Sequence, residues 1–167
     1  MAVNVRPGSI SDLPFLEEML FEAAYWRPSV PRPPLEVGLR RPDLAKLLHG
    51  WGREGDTAFL AVSASARSLG AAWYRFWSNA DHSYGFVSEH IPELAIGVKQ
   101  EARNRGVGRL LLQELLAEAG RQGISQISLS VEVENPALRL YERLGFEKIG
   151  RKGNAWTMVA NTARVVA

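Results

Sequence analysis

The run "ELAIGVKQEARNRGVGRLLLQELLAEAGRQG", residues 93–123, constrains this chain more than any other stretch. Its first six residues read as a strand. Its later half carries Leu111, Leu112, Leu115, Leu116 and Ala119 on one helical face, with Gln113, Glu114, Glu118 and Arg121 on the other. Between strand and helix lies "RNRGVG", residues 103–108. A chain that turns from a strand into a helix leaves the first helical N–H groups without partners, and the helix dipole adds partial positive charge there. Gly106 and Gly108 carry no side chain to block close approach, and Arg103, Arg105 and Arg109 add cations. Such a turn suits a phosphate or pyrophosphate. Its spacing is R-x-x-G-x-G. It lacks the G-x-x-x-x-G-K-[ST] of nucleotide hydrolases, and the third glycine of G-x-G-x-x-G is replaced by Leu111.

The flanking sequence gives this element its neighbours. "QISLSVEV" reads as the next strand and completes a β-α-β unit. "NPALRLYERLG" reads as a capped helix, with Asn135 as cap, Pro136 in its first position and Gly145 at its end. "FEKIGRK" and "AWTMVA" read as two closing strands. Upstream, "VNVRP" is a short strand, and Ser11 or Asp12 caps a helix over about 12–25. "YWRPSVPRPP" has four prolines within seven residues, which forbids regular helix or sheet. A short helix is predicted over about 42–51, with Leu44, Leu47, Leu48 and Trp51 at helical spacing. "DTAFLAVSA" and "LGAAWYRFWS" read as a hairpin pair, and residues 78–91 as a loop. With no repeat, low-complexity tract or linker, residues 1–167 are expected to form one domain.

Composition narrows the functions. The net charge is +2 and the basic residues are dispersed apart from Lys99, Arg103, Arg105 and Arg109, which suits one anionic ligand and argues against nucleic acid. The chain has no cysteine, so disulfides, thiolate metal sites and cysteine nucleophiles are excluded. Its three histidines, at 49, 82 and 90, lack metal-ligand spacing, so no metal is expected. No apolar run suits a membrane span and "MAVNVRPGSISD" lacks a signal core, so no membrane partner and a cytoplasmic location are expected.

The segments "ELAIGVKQEARNRGVGRLLLQELL" and "ISLSVEVENPALRLYERLGFEKIG" together resemble the GNAT superfamily of acyl-CoA-dependent N-acyltransferases. The second matches that family's N-x-x-A-x-x-x-Y-x-x-x-G-F run through Asn135, Tyr141, Gly145 and Phe146, with Leu138 at the usual alanine and Ala137 one place earlier. The two motifs span roughly residues 92–150, and the earlier part matches only loosely. The resemblance implies an α+β fold: a twisted, mostly antiparallel mixed sheet with one splayed parallel pair, flanked by helices on both faces. It implies acetyl-CoA as cofactor. Its pyrophosphate would lie on Arg103, Asn104, Arg105, Gly106, Val107, Gly108 and Arg109. Its pantetheine arm would meet the backbone of Ile96, Gly97 and Val98, its thioester would lie near Leu94 or Ala95, and Asn135 and Tyr141 would contact it as well. Glycine at 97 is read as easing a local bulge or as packing against a neighbour.

Acetyl transfer to an amine requires that the amine lose a proton, that the oxyanion be stabilised, and that the leaving thiolate gain a proton. By resemblance Tyr141 is the general acid, although a core role for its ring also fits its helix. Glu93, on the key strand, is the candidate base; Glu89, His90 and Glu132 are weaker alternatives. A lysine-like amine is only ~0.1% neutral near pH 7.4, so a base matters most for that acceptor class. Some ribosomal-protein N-terminal acetyltransferases carry a glutamate where this chain has Ser130, which counts against that subfamily. Acceptor contacts are expected from Trp26, Arg27, Trp73, Tyr74 and Glu93, with Tyr25, Phe76, Trp77 and the 78–91 loop nearby, and the proline-rich stretch as lid or wall.

The expected function is acetyl transfer from acetyl-CoA to a primary amine, with a small molecule as acceptor. The alternatives are a protein N-terminal or lysine acetyltransferase and a non-catalytic acyl-CoA-binding domain. Edge strands near the C-terminus leave room for a homodimer.

Overall fold

The computed structural model describes residues 2–164. Seven strands form one sheet in the order β1-β2-β3-β4-β5-β7-β6. They are β1 (Val3–Pro7), β2 (Thr57–Ser63), β3 (Ser68–Arg75), β4 (Glu93–Val98), β5 (Gln126–Glu132), β6 (Glu147–Lys152) and β7 (Ala155–Asn161). Every neighbouring pair is antiparallel except β4 and β5. That parallel pair meets only at Glu93 and Ser128, with the Ser128 N–H donating to Pro92 O at 3.0 Å. Beyond it the strands separate, so the edge of β4 that faces β5 has no strand partner. The expected mixed, splayed sheet is therefore present.

Helices cover both faces. On one lies α4 (Val107–Arg121), which buries Leu111, Leu112, Leu115, Leu116 and Ala119 against Ile127, Leu129 and Met158. The leucines that the spacing placed on one stripe are fully buried, each contributing about 1.5–3 kcal/mol. On the other face α1 (Leu13–Ala24) packs over β3 and β4 with Leu16, Met19 and Leu20. Three short helices complete the set: α2 (Leu35–Gly38), α3 (Pro42–Ala45) and α5 (Leu138–Arg143). β6 is an edge strand exposed along its length, and its lysines and arginine are the kind of residue that discourages edge pairing.

Asp12 stands at the N-cap of α1, one of the two positions expected, and two other local readings are corrected. The chain enters α1 through a box at Ser9 and Asp12, in which the Ser9 N–H donates to Asp12 Oδ2 at 2.8 Å. The helix expected over 42–51 stops at Ala45 and continues as turns. Its carbonyls are taken from outside: Arg75 Nη1 donates to His49 O at 2.7 Å and to Lys46 O at 3.4 Å. Arg75 is itself buried and bound by both oxygens of Asp56, at 2.9 and 2.7 Å. Asn135, expected as the helix cap, stands two residues ahead of the N-cap of α5, which is Ala137. Asn135 Oδ1 accepts from the Ala137 N–H at 3.0 Å, and regular helix begins at Leu138.

Gly97 eases no bulge, since β3 and β4 keep unbroken register past it. A Cβ there would lie 2.1 Å from the Met19 carbonyl oxygen. The residue is glycine because α1 lies directly on the β4 backbone.

Candidate active site

The splay between β4 and β5 organises the site. Side chains alternate along a strand, so Glu93 shares a face with Ala95 and Gly97, the face that α1 covers. Ser128, opposite it in register, shares that face, because its neighbours Ile127 and Leu129 point into the core under α4. The phosphate turn belongs to α4. Two ligands could therefore reach the point of the splay from opposite sides of the sheet.

Glu93 is held in a charge-poor setting. Its Oε2 accepts from the Gly85 N–H at 2.9 Å, while Oε1 is cut off from solvent with no partner among the described residues. Burial pushes its carboxyl up to about 7, against a partial pull downward from the Gly85 N–H and from the charges of Lys152 and Lys46. A carboxyl titrating there is poised to exchange protons near neutrality. The Ser128 hydroxyl, fully buried, likewise has no partner among the described residues. Two buried polar atoms left unsatisfied on adjoining strands are costly unless a ligand completes them. Gly85 makes this corner possible: a Cβ there would lie 2.7 Å from Glu93 Oε2 and 2.9 Å from Ser130 N. The loop holding it is tied down again where the Tyr84 hydroxyl donates to Asp43 Oδ2 at 3.1 Å.

The other candidate bases are spent or outlying. Glu89 accepts from the Asn79 N–H, Glu132 is paired with Arg27, and His90 lies exposed on the loop. Tyr141 sits in the core against Phe146, mostly enclosed, with no hydrogen-bond partner for its hydroxyl among the described residues. Burial pushes its phenol well above the usual range, so it stays protonated.

At the phosphate turn, Gly106 precedes α4 with φ +80°, and Asn104 also has positive φ. Arg105 and Arg109 are exposed and make no ion pair among the described residues. Arg103 differs from expectation. Its Nε donates to Val98 O at 3.0 Å and its Nη2 to Glu22 Oε2 at 3.0 Å. It ties the turn to β4 and α1 and is not a free phosphate ligand.

The proline-rich stretch runs between the end of β5 and the phosphate turn. Arg27 donates to Glu132 Oε2 at 2.8 Å and Glu134 Oε2 at 2.7 Å, with its guanidinium over the Trp26 ring. A cavity of about 640 Å³ lies between Trp26–Arg32 and Gln100, Arg103 and Asn104. A second, of about 440 Å³, lies between the end of β5 and α5, lined by Asn135 and Leu138. The unpaired β4 edge, the helix N-terminus and these cavities fit a long ligand with an anionic end.

Two expected acceptor residues are displaced. Tyr74 points to the opposite face from Glu93, into the core, and its hydroxyl donates to Gln122 Oε1 at 2.8 Å. Trp73 lies on the Glu93 face but is buried beneath α1. Ser128 and Gly85 were missed. A serine in a buried strand and a glycine in a polar loop carry no signal until the splay places them beside Glu93.

Among the described residues no cluster of acidic and histidine side chains could hold a metal, and no helix is long and apolar enough to cross a membrane. The model of the acetyltransferase (GNAT) family matches residues 19–146. An L-methionine sulfoximine/L-methionine sulfone acetyltransferase of Pseudomonas paraeruginosa is 27% identical, over 93% of this chain and 90% of the relative. Among solved structures, the PaiA N-acetyltransferase of Thermoplasma acidophilum in complex with coenzyme A superposes with TM-score 0.73 at 21% identity, covering 96% of this chain and 99% of that one. A phosphinothricin acetyltransferase of Sinorhizobium meliloti in complex with acetyl-CoA gives 0.68 at 21% identity, covering 96% and 89%.

Proposed function

The chain belongs to the acetyltransferase (GNAT) family and is an acyl-CoA-dependent N-acetyltransferase, and on that footing we propose that it moves an acetyl group from acetyl-CoA directly to the primary amine of a small molecule. The observation that carries this reading is Glu93, a buried carboxyl raised to about 7 at the point where β4 and β5 part. The acetyltransferase relatives named for methionine sulfoximine and for phosphinothricin support a small acceptor. A cytoplasmic location belongs to the same reading.

Acetyl-CoA supplies an acetyl group activated as a thioester. The N–H groups at Asn104–Gly108 and the cations of Arg105 and Arg109 would hold its pyrophosphate, with Arg103 bracing the turn. The edge of β4 at Leu94–Val98, which has no strand partner, would hold the pantetheine arm and could supply an N–H to the oxyanion. Asn135, with Oδ1 engaged at Ala137, would offer its amide nitrogen to the same arm. Glu93 takes the acceptor's proton, with the Ser128 hydroxyl beside it to fix the amine. Tyr141 is the group that would give its proton to the leaving sulfur.

Tyr141→Phe is expected to lower turnover by about a hundredfold while leaving coenzyme binding close to normal. Steady-state thiol release and calorimetric titration with coenzyme A separate the two effects. Unchanged turnover would remove the acid role. Arg27→Ala releases the proline-rich stretch from Glu132 and Glu134. It is expected to raise the KM for acetyl-CoA several-fold with little change in melting temperature, because these ion pairs face solvent. An unchanged KM would show that this contact does not help to hold the coenzyme.

A further inference from the structure

Sheet register places one more charged group at the acceptor side. Lys152 pairs with Ala155, and Ala155 pairs with Glu132. Residues paired across strands share a face, so Lys152 lies on the face of Glu132, Ser130 and Ser128, two strand spacings or about 10 Å from β5. A lysine side chain spans much of that distance. Other cations near this face are committed elsewhere. Lys46 donates to Asp81 Oδ1 at 2.8 Å and to His82 O at 2.6 Å. Arg27 is held by two glutamates and Arg75 by Asp56. The Lys152 side chain makes no hydrogen bond or ion pair among the described residues.

Lys152 and Glu93 stand in a particular relation. They are not in contact, yet the lysine is near enough for its charge to act on the Glu93 carboxyl. A buried acceptor oxygen and an ammonium with no side-chain partner among the described residues thus lie on the same face of the sheet, each lacking its complement. A polyamine would satisfy the first and be repelled by the second. A molecule with an amine at one end and an acid group a few bonds away completes both.

We propose that the acceptor is a zwitterionic amine, an amine that carries a carboxylate or similar acid group, and that Lys152 is the residue that reads the acid. This rests on the acetyl-transfer reading above and names its substrate class. The amine lies at Glu93 and Ser128, and the acid group turns toward the end of β6. Lys152 acts on binding, so its effect falls on KM for the acid-bearing acceptor.

The test compares two acceptors that differ only in the acid: L-methionine sulfone and 3-(methylsulfonyl)propylamine, with spermidine as a polycation. Thiol release from acetyl-CoA is followed for the wild type, Lys152→Met and Lys152→Arg, and each protein's melting temperature is read with and without acetyl-CoA. The wild type is expected to favour the acid-bearing amine by about ten- to a hundredfold in kcat/KM, as one charge-assisted contact allows. Lys152→Met is expected to collapse that ratio through KM, and Lys152→Arg to keep part of it. If Lys152→Met lowers both acceptors together and the ratio stands, the lysine serves Glu93 and the inference fails. A wild type that prefers the propylamine or spermidine also overturns it, while acetyl transfer survives. If acetyl-CoA neither raises the melting temperature nor yields thiol with any of the three, the underlying reading falls as well.

Discussion

Glu93→Gln is expected to lower kcat/KM by about a hundred- to ten-thousandfold and, at pH 8, to make the protein more stable than the wild type. Both effects follow from one fact. The carboxyl titrates at about 7 in the folded chain because burial disfavours its charge, whereas in the unfolded chain it titrates near 4.5. The folded state therefore holds the proton more tightly. Below about pH 4 the group is protonated in both states and costs nothing. As pH rises through about 4 to 7 the unfolded chain releases the proton first, and stability falls. Above 7 the folded protein carries the full cost, about 3 kcal/mol. Glutamine keeps an oxygen for the Gly85 N–H and removes the buried charge, so its stability lacks that slope. Catalysis runs the other way. Only the ionised carboxyl can accept the amine's proton, so kcat/KM of the wild type should rise with pH through about 7. An α-amine acceptor adds its own limb near 8, which the variant retains. Melting curves and pH–rate profiles of both proteins check this. Undiminished turnover in Glu93→Gln would leave Glu93 as a structural carboxylate.

Gly97→Ala is expected to be the most damaging single methyl in the chain. Its Cβ would stand 2.1 Å from the Met19 carbonyl oxygen, and the obstacle is backbone, which cannot rotate away. Relief requires α1 to lift from β4. That movement would disturb the packing of Leu16 and Met19 and the Glu22–Arg103 contact that braces the phosphate turn. A cost of about 3 kcal/mol or more is expected, which lowers the melting temperature by about 6–12 °C in a domain of this size. Coenzyme affinity should weaken together with stability. Differential scanning calorimetry measures the first effect and titration with coenzyme A the second. A variant as stable as the wild type would mean that α1 does not rest on β4 as described.

The sequence showed clearly those features that depend on local periodicity. The leucine stripe of α4, the alternation in β5 and the glycine turn between β4 and α4 each follow from spacing within a dozen residues, and all three lie where expected. Features that depend on contacts distant in sequence were not legible. The segment after Ala45 fails to continue as helix because Arg75 captures carbonyls 26 and 29 residues away in sequence. Arg103 reads as a phosphate ligand until Glu22, 81 residues earlier, takes its guanidinium. Tyr74 reads as a binding-site aromatic because alternation alone does not say which face of the sheet the acceptor meets. The candidate base is a mixed case. Glu93 could be chosen from its strand, but its raised pKa depends on Gly85 and on the parting of β5 from β4, which no local pattern records.

The measurement that tests the account most directly is thiol release from acetyl-CoA at pH 8 against amino acids, L-methionine sulfoximine, phosphinothricin, polyamines and short peptides with free N-termini. The account predicts release with small amines and loss of that release in Glu93→Gln, with acetyl-CoA raising the melting temperature of both proteins. No release with any amine and no thermal shift with acetyl-CoA would contradict it.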